Sequence, residues 1–377
     1  MHADERTRAW LVLLRTPGLG PGGLRARLAD AGGDVLAALA RLRRPGAGLD
    51  EPARAWLERP DEARLAADLA WLAAPGHRLL RCDEADFPPQ LDALAQPPAA
   101  LFVAGDAALL LRPQVAVVGA RGASPAGLAH AKRFARALAL AGYVVTSGMA
   151  DGIDGAAHAA ALDAGAPTVA VVGTGPDRVY PRKHQELARR IAAQGALVSE
   201  FPPGTAARAD HFPRRNRIIA GLSLGTLVVE AGLQSGSLIT ARLAGEEGRE
   251  VFALPGSIDN PLARGCHRLI RDGARLVEEP AEVSEALAPA ARAQGGVLAA
   301  RLAEEEPSAG AAAPATWRDD PDYRALLDAL GHEPAGLDEL AGRTGLSAPA
   351  LSSMLLMLEL EGAVAGLPGN RYQRLPG

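Results

Sequence analysis

Short apolar segments alternating with amphipathic stretches between residues 115 and 254 constrain this chain more than any other feature. The apolar segments fall at 115–118, 143–146, 168–172, 197–199, 226–229 and 251–254. Helical spacing fills the gaps, over 125–141, 154–164, 183–194, 214–222 and 236–247. Strands this short and this uniformly apolar are covered on both faces, and crossover helices cover both faces of a parallel sheet. The expected fold class is α/β, a Rossmann-like doubly wound parallel sheet. Aromatic residues are only 4% of the 377, so Leu, Val, Ile and Ala must fill its core.

Such sheets bind ligands beyond the carboxyl ends of their strands, and five turns there carry chemistry. The first is Gly119-Ala120-Arg121-Gly122-Ala123-Ser124-Pro125, a strand end opening into a helix. Its spacing is not G-x-G-x-x-G, and no acidic residue follows the second strand to hold a ribose, which disfavours a dinucleotide. Arg121 can grip a phosphate with two hydrogen bonds, or stand as an ordinary loop residue. The second turn, Ser147-Gly148-Met149-Ala150-Asp151-Gly152-Ile153-Asp154, lets the backbone approach a ligand closely. Asp154 reads as a helix N-cap and His158 as a structural histidine. The third, Phe212-Pro213-Arg214-Arg215-Asn216-Arg217, is the densest basic cluster of the segment, where an incoming anion would relieve positive charge at a helix start. The fourth, Glu230-Ala231-Gly232-Leu233-Gln234-Ser235-Gly236-Ser237, offers hydroxyls and amides; Glu230 either fixes the loop or pairs with an arginine. The fifth is Leu254-Pro255-Gly256-Ser257, with Lys183 as a possible basic rim nearby.

One glycine turn would say little. Five along one sheet edge describe a concave rim that seeks anions. No nucleophile–base pair, metal-ligand cluster or Walker lysine accompanies them, so the rim is expected to hold phosphates, with no catalytic residue, cofactor or metal.

The flanks read differently. Residues 1–75 carry short helices at 9–14, 24–30, 35–42 and 63–73, with a Gly-Leu-Gly turn after the first, the outline of a SAM-like or helix-hairpin-helix module. Residues 76–112 are a Pro-rich lead-in that packs on the sheet domain, which is bounded at 76–285. Residues 286–318, rich in Ala, Gly, Pro and Glu, show no periodic apolar face and are expected to be a flexible linker. Residues 319–377 outline a winged helix, with helices at 323–330, 337–344 and 348–361 and a small wing.

Formal net charge is −4, so any nucleic-acid site must be a local concentration of charge. Residues 113–285 hold 19 Lys and Arg against 17 Asp and Glu, whereas 319–377 hold 4 against 9. The helix at 348–361 has no basic residue, which suits a protein contact or regulation better than duplex DNA. The two cysteines, Cys82 and Cys266, lie far apart and read as reduced thiols. Asp4 and Glu5 argue against a signal peptide, and no apolar run is long enough to span a membrane; a cytoplasmic location is expected.

Taken in order, GARxxS, SGMAxGID-x3-H, YP, FPxRNRIIAGLS, VVEAGxxSGSLITA, LPG and LIRDGA resemble the DNA-processing protein A (DprA/Smf) family over roughly residues 76–280. The resemblance implies sequence-independent binding and protection of single-stranded DNA, loading of the RecA recombinase in natural transformation and homologous recombination, and a homodimer formed through the nucleotide-binding domain. It implies a DNA groove lined by Arg121, Ser147, Gly148, Lys183, Arg215 and Arg217, with Ser235, Gly236 and Ser237 at its floor. Many relatives carry asparagine in a GxNxLI string where this chain has His267, so no Asn-specific contact is implied. Phe201, Phe212 and Tyr180 are the stacking candidates. Two other classes stay open. A nucleotide-processing enzyme of the lysine-decarboxylase-like phosphoribohydrolase type would carry PGGxGTxxE, and here Gly225 to Glu230 lacks the preceding PGG. It would release base from nucleoside monophosphates, and a pure scaffold would show neither activity nor DNA binding.

Overall fold

A computed structural model of the chain describes residues 2–305, 321–331, 333–360, 363–367 and 371–375. Two compact units, Met1–Ala299 and Ala300–Gly377, make up the fold. The first opens with α1 (His2–Leu14), α2 (Pro21–Asp30), α3 (Val35–Leu42), α4 (Glu51–Glu58) and α5 (Glu62–Leu72). Asp34, Asp50 and Asp61 cap α3, α4 and α5 by accepting amide hydrogen bonds in the first turn. Next come β1 (His77–Arg81), α6 (Pro89–Asp92) and β2 (Ala100–Gly105). The alternating part follows: β3 (Gln114–Val118), α7 (Pro125–Leu140), β4 (Val144–Ser147), α8 (Ile153–Asp163), β5 (Thr168–Val172), α9 (Gln185–Gln194), β6 (Ala196–Ser199), α10 (His211–Leu222), β7 (Gly225–Val228), α11 (Ser237–Glu246), β8 (Glu250–Ala253), α12 (Arg264–Arg271), β9 (Arg275–Leu276) and α13 (Pro280–Glu305).

The strands form one sheet in the order β1-β2-β6-β5-β4-β3-β7-β8-β9. From β6 to β9 every neighbour pair is parallel, and β2 and β1 extend the sheet antiparallel beyond β6. The chain steps outward from β3 to β6, then returns to place β7 on the other side of β3. The crevice between β3 and β7 is therefore the switch point of the sheet. Alternation along β3 feeds two cores. Ala116 and Val118 pack with Ile218, Ile219 and Leu222 of α10 and Cys266 of α12. Val115 and Val117 pack with Phe134 and Leu138 of α7, Ile153 of α8 and Leu287 of α13. This is the Rossmann-like arrangement the strand pattern predicts.

The opening helices share a third core with the sheet. Trp10, Leu13, Leu24, Leu39, Leu57 and Leu65 cluster with Leu79 of β1 and Ala100 and Phe102 of β2. Arg15 adds a polar pin, donating to both carboxylate oxygens of buried Asp68 (2.6 Å each) and to the Pro203 carbonyl (2.8 Å).

Two expectations for the flanks change. The lead-in contributes two strands of the sheet, paired His77↔Ala104 through Arg81↔Ala100. Residues 286–305, expected within the flexible linker, are helical as the later part of α13. Ala dominates there and has the highest helix propensity, Leu287 is buried in the sheet core, and Gln294 donates to the Leu111 carbonyl (2.9 Å). The remainder, 306–318, lies outside the described residues.

The second unit holds α14 (Pro321–Leu330), β10 (Ala335–Gly336), α15 (Leu337–Thr344), α16 (Ala348–Leu360), β11 (Val364–Leu367) and β12 (Arg371–Arg374). Its strands pair antiparallel in the order β10-β12-β11. Leu326, Leu340, Leu351, Leu355 and Val364 form its core, and Gly345, at φ 73°, ends α15 in the left-handed conformation. The winged-helix outline is present, and α16 carries no Lys or Arg. No described helix is long and apolar enough to cross a membrane.

Candidate nucleic-acid interface

A cleft of about 850 Å³ opens at the switch point. Its walls are the β3–α7 turn (Gly119 to Gly122), the start of α8, the first turns of α10, the β7–α11 turn (Gly232 to Ser237) and Pro261 to Arg264. Three guanidinium groups, Arg121, Arg215 and Arg264, line it with a single carboxylate, Asp154. A chain of net charge −4 thus concentrates positive charge in this crevice.

Arg121 stands exposed at the mouth with its guanidinium over the Phe212 ring (5.2 Å to the centroid). The rings of Phe212 and half-exposed Tyr180 lie 5.7 Å apart. Of the three aromatic candidates, these two are accessible. Phe201 is buried, stacked on His211 at 3.9 Å.

The helix starts are not equally open. Ser124 caps α7, its hydroxyl accepting from the Gly127 amide (3.0 Å) and donating to Glu230 (2.6 Å), while the other Glu230 oxygen accepts from the Ser124 amide (2.9 Å). A β-carbon on Gly127 would come within 2.3 Å of that carboxylate, so only glycine lets Glu230 sit so close. The positive end of α7 is already met from within: Glu230 holds the β3–α7 turn, whereas its own Gly/Ser loop or an arginine was the partner expected for it. By contrast, α11 begins at Gly236 with no side-chain cap and no acidic residue in its first turn. Its first amides are engaged locally, Ser237 N–H with the Ser235 hydroxyl (3.4 Å), Leu238 N–H with the Ser235 carbonyl (3.1 Å) and Ile239 N–H with the Gly236 carbonyl (3.1 Å), and the Ser235 and Ser237 hydroxyls, 2.7 Å apart, stand on the cleft wall. The positive end of the α11 dipole therefore has no acidic side chain against it.

Beneath the mouth lies a buried polar floor. Arg215 is 5% exposed and donates from Nη1 to the Val171 carbonyl (2.7 Å). A β-carbon at Gly148 would fall 1.6 Å from that nitrogen, so the glycine is the space the guanidinium fills. Asp154 accepts from the amides of Gly148 (3.2 Å) and Ala150 (3.3 Å). It sits in the first turn of α8, and the N-cap position expected for it belongs to Gly152. Burial pulls Arg215 down to about 10, Asp154 draws it back up, and Arg121 adds to the drop. Burial likewise raises the Asp154 carboxyl, with Arg215 the largest opposing influence. His158 is fully buried, its Nδ1 2.7 Å from the Thr168 hydroxyl. That hydroxyl gives its own hydrogen to the Val145 carbonyl, so Nδ1 carries the proton and Nε2 is left bare. Burial, with Arg215 next, drops this histidine to about 3. The structural role expected of it holds.

Several residues expected to line a groove do not reach one. Ser147 is buried and donates to the Val117 carbonyl (2.6 Å). Gly148 is buried against Arg215. Arg217, 9% exposed, turns away from the cleft to pair with buried Glu200, which also faces Arg214 at 3.6 Å. Residues two apart on a helix point about 200° apart, so Arg215 and Arg217 cannot share a face. The third motif is therefore split between two sides of α10. Lys183 is exposed and pairs with Asp151 at 2.9 Å. Arg121, Arg215, Ser235, Gly236 and Ser237 do converge. Sequence reasoning missed Arg264, exposed on the cleft wall, although a cation opening a helix after the fifth strand-end turn was a readable signal. No group of three or more His, Cys, Asp or Glu that could hold a metal ion occurs among the described residues.

Comparison with known proteins places this geometry in context. The family model described as DNA recombination-mediator protein A matches residues 78–288, and a DprA winged helix domain matches 307–370. Protein Smf of Escherichia coli is 45% identical over 312 residues, covering 82% of this chain and 81% of that protein. DNA processing protein DprA of Bacillus subtilis is 39% identical over 225 residues, 59% of this chain and 76% of that one. The X-ray structure of DprA from Streptococcus pneumoniae superposes with a TM-score of 0.65 at 36% identity, covering 73% of this chain and 96% of that one. A Helicobacter pylori DNA processing protein A structure, described for its single-stranded DNA binding mode, gives 0.52 at 30% identity over 56% of this chain and 96% of that one.

Proposed function

Because the chain belongs to the DNA recombination-mediator protein A (DprA/Smf) family, we propose that it binds single-stranded DNA without regard to sequence, shields it, and passes it to a RecA-type recombinase in homologous recombination and natural transformation. One observation carries this reading: three arginines and a helix start with no acidic residue in its first turn line one crevice whose sole carboxylate is buried. The H. pylori relative, named for its single-stranded DNA binding, supports the choice of ligand.

In this reading Arg121 and Arg264 meet phosphates at the mouth. Gly236 and the hydroxyls of Ser235 and Ser237 meet them at the start of α11. Phe212 and Tyr180 offer faces to bases, a contact that tolerates any sequence. Ser147, Gly148 and Arg215 act by holding the floor, and Arg217 by joining α10 to Glu200. Lys183 acts as a rim cation that exchanges Asp151 for phosphate. The nearest carboxylates are engaged, Asp154 by amides and Glu230 by Ser124, which favours holding a strand over cutting one. We place this work in the cytoplasm and in a homodimer, with a helical region at 1–75, a sheet domain at 76–285 and a winged helix at 319–377.

Fluorescence anisotropy with short oligo-dT tests the reading. Phosphate contact by Arg121 predicts that Arg121→Ala lowers affinity about tenfold and flattens the salt slope by about 0.7, the single-strand value per phosphate. Phe212→Ala should cost about 1–3 kcal/mol, the range for base stacking, with little change in slope. Wild-type affinity in both variants at low salt would remove the cleft from consideration. Faster RecA filament assembly on precoated single strands, lost with Arg121→Ala, tests the handover.

A further inference from the structure

We propose a second DNA-contacting surface on the outer face of α7, centred on Lys132 and Arg136, that receives the backbone of the strand after it leaves the cleft. The inference rests on the reading of the cleft as a single-strand site.

Helix α7 contains no Asp or Glu in its 16 residues, yet carries His130, Lys132, Arg133 and Arg136. Its apolar face is spent on the sheet through Ala131, Phe134, Ala135 and Leu138, so the cations project outward. Between α7 and α8, Lys132, Arg133 and Arg136 line a shallow concavity of about 260 Å³ with Ala160 and Asp163. Asp163 is engaged by Arg190 at 2.7 Å. Arg133 is engaged by the Glu278 carbonyl (2.6 Å) and the Glu279 carboxylate (3.3 Å). Lys132 and Arg136 are exposed and make no ion pair or hydrogen bond among the described residues. They stand four residues apart, so two like charges share one face, a self-repulsive arrangement that an external anion relieves.

Position selects the partner. Helix α7 begins four residues after Arg121, at the cleft mouth, and runs away from the carboxyl edge of the sheet. At 1.5 Å per residue, Lys132 and Arg136 lie about 10 and 16 Å from Pro125. A stacked strand at about 3.4 Å per nucleotide spans that in roughly three to five nucleotides. The exposed residues between are Ala126 and Ala129, which put neither bulk nor negative charge in the path, and His130. An acidic peptide would find the same charges but would have no reason to start at the cleft.

Length-dependent binding separates this surface from the cleft. With dT6 and dT20 as probes, the exposed double substitution Lys132→Ala/Arg136→Ala should leave dT6 affinity within about twofold of wild type. It should weaken dT20 about tenfold at low salt and flatten the dT20 salt slope by about 1.4, two phosphates at about 0.7 each. Arg121→Ala should weaken both lengths. Unchanged dT20 affinity and slope in the double variant would overturn the proposal, as would equal loss at both lengths, which would merge these residues with the cleft. If Arg121→Ala is silent at both lengths, the cleft reading fails and the path from it to α7 fails with it; if Arg121→Ala weakens both lengths and only the double variant is silent, the cleft stands and the α7 surface alone is overturned.

Discussion

Replacing Gly148 by alanine tests whether Arg215 is a floor beam or a ligand contact. The added methyl would overlap the guanidinium, at 1.6 Å from Nη1 and 2.1 Å from Cζ. Ordinary contact needs about 3.5 Å or more, so Arg215 must move by roughly 2 Å. That breaks its 2.7 Å bond to the Val171 carbonyl and pulls it from Asp154. A hydrogen bond to a charged group contributes about 1.5–3 kcal/mol, and a displaced buried cation adds desolvation, so Gly148→Ala should cost about 2–4 kcal/mol. Urea unfolding reads this as a lower midpoint at constant slope. The decisive measurement is the cycle with Arg215→Ala, which removes the group the methyl strikes. The double variant should then be no less stable than Arg215→Ala alone, giving a coupling of about 2–4 kcal/mol, the full cost of Gly148→Ala. Additive losses, or a neutral Gly148→Ala, would refute the argument from close approach.

Three further outcomes follow from the same geometry. His158 stays neutral when folded down to about pH 3, whereas an unfolded histidine takes a proton below about 6.5. Stability from neutral His158 is therefore full above that value and lost as pH falls through the window, by up to about tenfold in the folding constant per pH unit. Subtracting the pH profile of His158→Gln isolates it from Asp154, whose raised carboxyl acts in the opposite sense; parallel profiles would contradict the assignment. Glu230→Ala removes both contacts to Ser124 and should cost about 2 kcal/mol in urea unfolding; an unmoved midpoint would show that the α7 start does not depend on it. The compact unit Ala300–Gly377, with no basic residue on α16, should not retard a duplex oligonucleotide in a gel at physiological salt, and a titratable shift would reverse that expectation.

Periodicity made the sheet legible. Strand 168–172 and helix 337–344 appear with the bounds the pattern suggests, because uniform apolarity and a glycine stop are local signals. Helix α10 starts at His211 rather than 214, since a proline in the first turn lacks only an amide hydrogen that has no helical partner anyway. Strands β1 and β2 escaped notice because their pairing joins residues about 25 apart, with prolines between. The site was half legible. Turn chemistry pointed to the right edge, and Arg121 and Ser235 to Ser237 converge there. A linear string cannot show that Glu200 waits for Arg217, or that Arg215 fills the hollow at Gly148. Helical geometry alone could have separated Arg215 from Arg217.

The core shared by the opening helices and β1 has a consequence for how this protein can be divided. Strand β1 is the outermost strand of the sheet, and α5 packs along it. A fragment beginning near residue 76 would leave Leu79 and Phe102 without their cover, on a sheet whose edge strand β1 already has no further strand beside it. Edges of that kind recruit foreign strands. The helices before residue 75 thus serve as insulation for the sheet, and a shortened form lacking them should self-associate before it reveals anything about DNA.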